Sequence, residues 1–152
     1  MLYHASIPAD EPERVARVIA ELWRGRVLPF PPFPGAYMAW SGDERRTVVD
    51  VYPRGCEHVP APGEFGVRTN PAPSAHSESH LALAVALSAD EIFAIAMREN
   101  WLAQTSDRGG LFSVIELWIE NKFLLELLTP QEQRRYQNNM TLENLEALFD
   151  AH

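Results

Sequence analysis

The 152-residue chain is 46% hydrophobic and 22% charged, the size and composition of one globular domain, which excludes a disordered or collagen-like polymer. Its 21 acidic against 13 basic residues give a formal charge of -8, a sign that repels a phosphate backbone and argues against nucleic-acid binding. No run approaches the ~20 apolar residues of a membrane span, because the most apolar stretch, 111–128, is interrupted by Glu116, Glu120, Lys122 and Glu126.

In chain order, residues 2–7 form a short, partly alternating strand. Asp10, Glu11 and Pro12 then open a helix whose apolar stripe is Val15, Val18, Ile19, Leu22 and Trp23, with Gly25 as its stop. Pro29 to Pro34 reads as an edge piece or loop, since proline cannot donate inside a sheet. Strands are expected over 37–40 and 47–52, joined through the turn residues Ser41, Gly42 and Asp43. The stretch 53–79, rich in proline and glycine, has no apolar period and reads as a linker. A second strand over 80–87 leads to a helix opened by the capping box Ser88/Glu91 and ending near Asn100. Strands over 102–105, 112–119 and 122–128 follow, the last two joined by a Glu120-Asn121 turn. The tail starts a capped helix at Thr129-Pro130 and a second at Thr141, whose Leu142, Leu145, Leu148 and Phe149 form a stripe suited to cover a sheet edge or a partner subunit.

The order strand, helix, strand, strand, strand thus occurs twice, and an offset of 76 residues aligns the halves. It lays Val48-Val49-Asp50-Val51 on Leu124-Leu125-Glu126-Leu127 and His4 on His80, so histidine and carboxylate are 46 residues apart in both halves. Alternation puts His80 with Ala82, Ala84 and Ala86 on a face opposite Leu81, Leu83, Val85 and Leu87, and His4 with Ser6 opposite Ala5 and Ile7. Both histidines therefore point away from the helix-packed core. Glu126, embedded among leucines, is costly unless protonated, paired or bound to a cation. Two histidines and two carboxylates offer the mixed nitrogen and oxygen donors that suit a divalent Zn, Ni, Mn, Fe or Co ion. The same residues also allow a purely structural reading, with His4 a frayed terminal residue, Asp50 salt-bridged to Arg45 or Arg46, and Glu126 paired with an arginine.

Three segments resemble the vicinal oxygen chelate superfamily, which includes glyoxalase I, methylmalonyl-CoA epimerase, fosfomycin-resistance proteins, extradiol dioxygenases and bleomycin-resistance proteins. They are HASIPADEPERVARVIAELW from His4, HLALAVALSADEIFAIAMREN from His80 and NKFLLELLTP from Asn121, together marking a resemblance over about residues 2–130. The resemblance implies an α+β fold of two βαβββ units forming a curved mixed sheet around a cleft, helices outside, with a C-terminal helical extension. It implies a single glyoxalase-like domain over 1–152, with units at 1–60 and 80–130, a linker at 61–79 and a helical tail at 131–152. It also implies a divalent metal held by His4, His80 and Glu126, with Asp50 either the fourth ligand or a carboxylate base acting through water; Asp50 and Glu126 are the catalytic candidates. The chain departs from many members by lacking an Asp-Pro-Asp-Gly lead before Asn121 and by having Leu22-Trp23 where they have Phe-Tyr, departures that weaken assignment to glyoxalase I or any other named subfamily.

The expected function is that of a metal-dependent lyase, isomerase or dioxygenase acting on a small molecule with vicinal oxygens. The alternative is a metal-free sequestration protein of bleomycin-resistance type. No nucleic acid or membrane is expected as partner, and each unit is small enough that it must pack on the other, within the chain or across a homodimer. With no basic and apolar leader, and Cys56 lacking a second cysteine, a soluble protein of the reducing cytoplasm is expected. Glu116 sits mid-strand and, with Glu120-Asn121 as a two-residue turn, opposes Leu125 and faces away from Glu126 as a structural ion pair or a general base; His58 and His76 are solvated, and Cys56 is inert. Trp40, Tyr52, Phe112 and Trp118 are core fillers or cavity linings.

Overall fold

The computed structural model describes residues 3–63 and 65–150 and divides into two compact units, 1–78 and 79–152. In the first, β1 (His4–Ala9) leads into α1 (Pro12–Trp23), followed by β2 (Arg26–Pro29), β3 (Tyr37–Trp40) and β4 (Val48–Pro53). The sheet order is β1-β4-β3-β2, with β1 parallel to β4 and the other pairs antiparallel. In the second unit, β7 (Leu81–Ala84), α2 (Ala89–Glu99), β8 (Ala103–Arg108), β9 (Phe112–Ile119) and β10 (Phe123–Leu128) give the order β7-β10-β9-β8 with the same senses. Each unit is therefore a βαβββ motif, the α+β duplication expected.

The register makes the repeat quantitative. His4 pairs with Val48 and Leu81 with Leu125, a separation of 44 residues in both parallel pairs, so the 76-residue offset holds through the first and last strands. In α1, the buried stripe Val15, Val18, Ile19 and Leu22 packs toward β2, β3 and β4. In α2, Ile92, Ile95 and Ala96 are buried, and Ser88 closes the expected capping box with Glu91. Both helices end alike. Arg24 and Asn100 adopt left-handed backbone (φ 55° and 59°), and the next amides, of Gly25 and Trp101, donate to Ala20 and Ala96 carbonyls at 2.8 and 2.9 Å. Gly25 is required for another reason: a Cβ there would lie 2.0 Å from the Trp40 carbonyl oxygen.

Two expectations need correction. The 53–79 stretch contains a hairpin of β5 (Cys56–Pro60) and β6 (Phe65–Thr69). Prolines at strand ends and Gly66 obscured its alternation. β8 runs on to Arg108 because an edge strand tolerates the polar Thr105-Ser106-Asp107-Arg108. Two helices follow the repeat, α3 (Pro130–Asn139) and the stripe helix α4 (Leu142–Asp150). α3 packs on the central strands β9 and β10, with Tyr136 against Phe112 (ring centroids 4.8 Å apart) and Met140 against the buried cluster of Phe112, Val114 and Leu128. Gln133 Nε2 donates to the Val85 and Leu128 carbonyls at 2.8 Å, fixing the helix to the ends of β7 and β10. The stripe residues Leu148 and Phe149 have side chains outside the described set. Among the described residues no helix is long and apolar enough to cross a membrane.

Candidate functional site: two histidine-carboxylate pairs

Strand alternation sets which side chains leave the core. In β1, Ile7 and Ala9 are buried while His4 and Ser6 are exposed; Leu83, Val85 and Leu87 are buried while His80, Ala82, Ala84 and Ala86 are exposed. Residues level with one another across a sheet share a face, so each carboxylate belongs to a row. In the first unit the row is Ser6, Asp50, Met38, Leu28; in the second it is Ala82, Glu126, Glu116, Gln104.

Asp50 lies between buried Val49 and Val51 and is itself only 8% exposed. Its Oδ1 has no hydrogen-bond partner. Burial pushes its carboxyl pKa up, and the neighbouring His4 partly opposes the shift. Tyr52, on the same face, has its phenol pushed up by burial and then by the neighbouring charges of Asp50 and Cys56. Next to it opens a cavity of about 320 Å³ lined by Ser6, Tyr52, Cys56, His58 and His76, among others. The Tyr52 ring makes an edge contact with His58, centroids 4.9 Å apart, and a tilted one with Phe33 at 5.2 Å. His58 and Cys56, expected in a featureless linker, instead line this cavity from β5.

In the second unit Glu126 is tied down. Its Oε1 accepts from Arg108 Nη2, which also donates to Glu116 Oε1 at 2.9 Å. Gln104 Nε2 donates to the other Glu116 oxygen at 2.6 Å, and Arg108 Nη1 donates to Ser106 Oγ. The remaining Glu126 oxygen, Oε2, faces His80 Nε2 at 3.9 Å. That separation is too long for a hydrogen bond, and the two side chains are an imidazole and a carboxylate, donor types that would suit a divalent ion. The hydrogen bonds from Gln104 and Arg108 hold Glu116 below the usual carboxylate range, and those to Glu116 and Glu126 raise the Arg108 pKa.

The structure thus brings the four expected ligands together two by two, His4 with Asp50 and His80 with Glu126. Among the described residues no group of three or more His, Cys, Asp or Glu side chains is gathered as a ready-made metal site. The expected arginine partner of Glu126 exists, and it is Arg108. The placement of Glu116 is a correction. Ile119 pairs with Phe123, so the loop holds three residues, not two, and the extra residue turns Glu116 to the same face as Glu126, level with it. Glu120 and Asn121 both take positive φ there (51° and 57°). Sequence reading also missed Arg108 and Gln104; had the strand been continued to Arg108, its alternation would have placed 104, 106 and 108 on one face.

No protein-family model matches the sequence, and no curated protein is similar to it. The fold is found among solved structures. The fosfomycin resistance protein FosX of Listeria monocytogenes superposes with a TM-score of 0.56 at 9% identity, over 89% of this chain and 97% of its own. A variant of that protein complexed with Mn(II) and 1S,2S-dihydroxypropylphosphonic acid gives 0.57 at 10% identity, over 91% and 96%. The trypanothione-dependent glyoxalase I of Leishmania major gives 0.52 at 16% identity, over 91% and 92%.

Proposed function

Because the chain has the vicinal oxygen chelate fold, we propose that it is a glyoxalase-like, divalent-metal-dependent enzyme acting on a small molecule with adjacent oxygens. The observation that carries this reading is Asp50 Oδ1, an oxygen of a buried carboxylate with no partner beside a histidine. Leaving such a group unsatisfied costs about 1–3 kcal/mol, a cost that a bound cation removes. The donor chemistry fits in each unit: His4 with Asp50 in the first and His80 with Glu126 in the second each pair an imidazole with a carboxylate, donors that suit Zn, Ni, Mn, Fe or Co. The complex of the Listeria protein with Mn(II) and a dihydroxy phosphonate supports a site of this kind.

When bound, the ion supplies Lewis-acid chemistry, drawing charge from two adjacent substrate oxygens. The protein supplies the rest. Burial raises the proton affinity of Asp50, which equips it to accept a proton from substrate if it is not itself a ligand. Glu126 keeps a fixed orientation through Oε1. The 320 Å³ cavity, reached along the same face through Ser6 and Tyr52, has the volume of a small-molecule pocket and receives the remainder of the substrate. One observation favours the alternative of metal-free sequestration: Arg108 already gives Glu126 a cation.

The test is thermal melting of chelator-treated protein with Zn, Ni, Mn, Co or Fe(II) added. The enzyme reading expects stabilisation of about 3–4 kcal/mol at 100 to 1,000 times the dissociation constant. No shift with any ion, together with tight binding of a basic aromatic compound that weakens with salt, would establish sequestration instead.

A further inference from the structure

Glu126 and Glu116 stand directly opposite on adjacent strands, a placement that sets like charges side by side. Arg108 resolves the conflict by bonding one oxygen of each with a single nitrogen. The group is partly enclosed: Glu116 and Glu126 side chains are each 14% exposed and Arg108 30%. The fold does not need it. The register equivalents of Glu116 and Gln104 in the first unit are Met38 and Leu28, which fill the same positions with apolar side chains. An arginine beside a cation-binding carboxylate should be harmful, since its charge both cancels that of Glu126 and repels an incoming ion. Here Glu116 carries the opposite charge at the same guanidinium, and Gln104 holds its second oxygen so that it stays turned toward Arg108.

We infer that Glu116 is a charge-compensating, positioning residue for cation binding: it neutralises Arg108, which can then orient Glu126 through Oε1 while Glu126 keeps its own charge for an ion shared with His80. This rests on the metal reading above and assigns roles to Glu116 and Arg108 that the ligand set does not contain. It separates this arrangement from a plain surface ion pair by the behaviour of the double substitution. Glu116→Gln retains the hydrogen-bonding groups but leaves Arg108 uncompensated against Glu126, so binding of an ion weakens. Removing the uncompensated charge as well, in Arg108→Gln/Glu116→Gln, returns Glu126 to full charge.

The experiment is titration of chelator-treated wild type, Glu116→Gln, Arg108→Gln/Glu116→Gln and Glu126→Gln with Mn(II) alone, with circular dichroism as a check on folding. The expected result is a loss of tenfold or more in affinity for Glu116→Gln, within the roughly 10–100-fold range of residues that support ligands, and recovery of most of it in the double variant. Glu116→Gln binding as tightly as wild type, or a double variant as weak as the single one, overturns the inference and leaves the metal reading standing. Absence of Mn(II) binding in every protein, wild type included, overturns both.

Discussion

The two βαβββ units repeat the same backbone and treat the same carboxylate position in opposite ways. In the first, Asp50 is buried among valines, with Met38 and Leu28 completing its row, and one of its oxygens has no partner. In the second, Glu126 is longer, partly exposed and held by Arg108, with Glu116 and Gln104 completing the row. A duplicated fold thus fixes where a carboxylate stands, while three neighbouring side chains decide whether it is strained or satisfied. The first unit keeps a poised, costly anion; the second keeps a positioned one.

Substitutions at the two positions sharpen that contrast. The largest effect is expected for Glu126→Gln, which removes ligand charge and should lower divalent-ion affinity by about 100-fold or more while the fold is retained, as ion titration and circular dichroism would show. Asp50→Asn should weaken binding less, because the side chain is short and its part as a ligand is the one open to a base role. Its effect on the ion-free protein has the opposite sign to the usual substitution: removing the charge of a buried carboxylate should stabilise the fold in chemical denaturation at neutral pH. The pH dependence follows from the raised pKa. An acid that binds its proton more tightly when folded makes stability fall as pH rises through that pKa, so the wild type should lose stability there and Asp50→Asn should not.

The second unit should show the reverse slope. The Glu116 pKa is held low by Gln104 and Arg108, so its contribution is present above the ordinary carboxylate range and disappears as pH falls through and below it. Glu116→Gln should flatten that acid limb in a denaturation series. The smallest effect concerns the matched helix ends. Arg24 holds the left-handed position that Asn100 holds in the other unit, and Arg24→Gly should stabilise by about 0.5–1 kcal/mol in thermal melts, whereas Asn100→Arg should destabilise by a similar amount.

Sequence pattern carried the repeat itself, for a physical reason. Half-buried strands alternate and capped helices announce their starts, so His4 and His80 could be pointed away from the helix-packed core and, with Asp50 and Glu126, matched across 76 residues. The partners of those groups were not legible in the same way. Whether Glu116 faces Glu126 depends on one residue of loop length, because a strand flips its face with each step, and Glu120-Asn121 reads equally well as a two-residue turn. Arg108 reaches Glu126 from a polar edge strand whose Ser106-Asp107-Arg108 has no apolar period to reveal it. The cavity beside Tyr52 is lined partly by β5, a hairpin strand hidden among prolines and glycines.

The central claim, that these histidine-carboxylate pairs bind a divalent ion, is tested most directly by calorimetric titration of the chelator-treated chain with Mn(II) and Zn(II), run beside Glu126→Gln and Asp50→Asn. The account predicts saturable binding of about one equivalent by the wild type, binding lost in Glu126→Gln and weakened in Asp50→Asn. A wild type that binds neither ion, or a Glu126→Gln variant that binds as the wild type does, would contradict it.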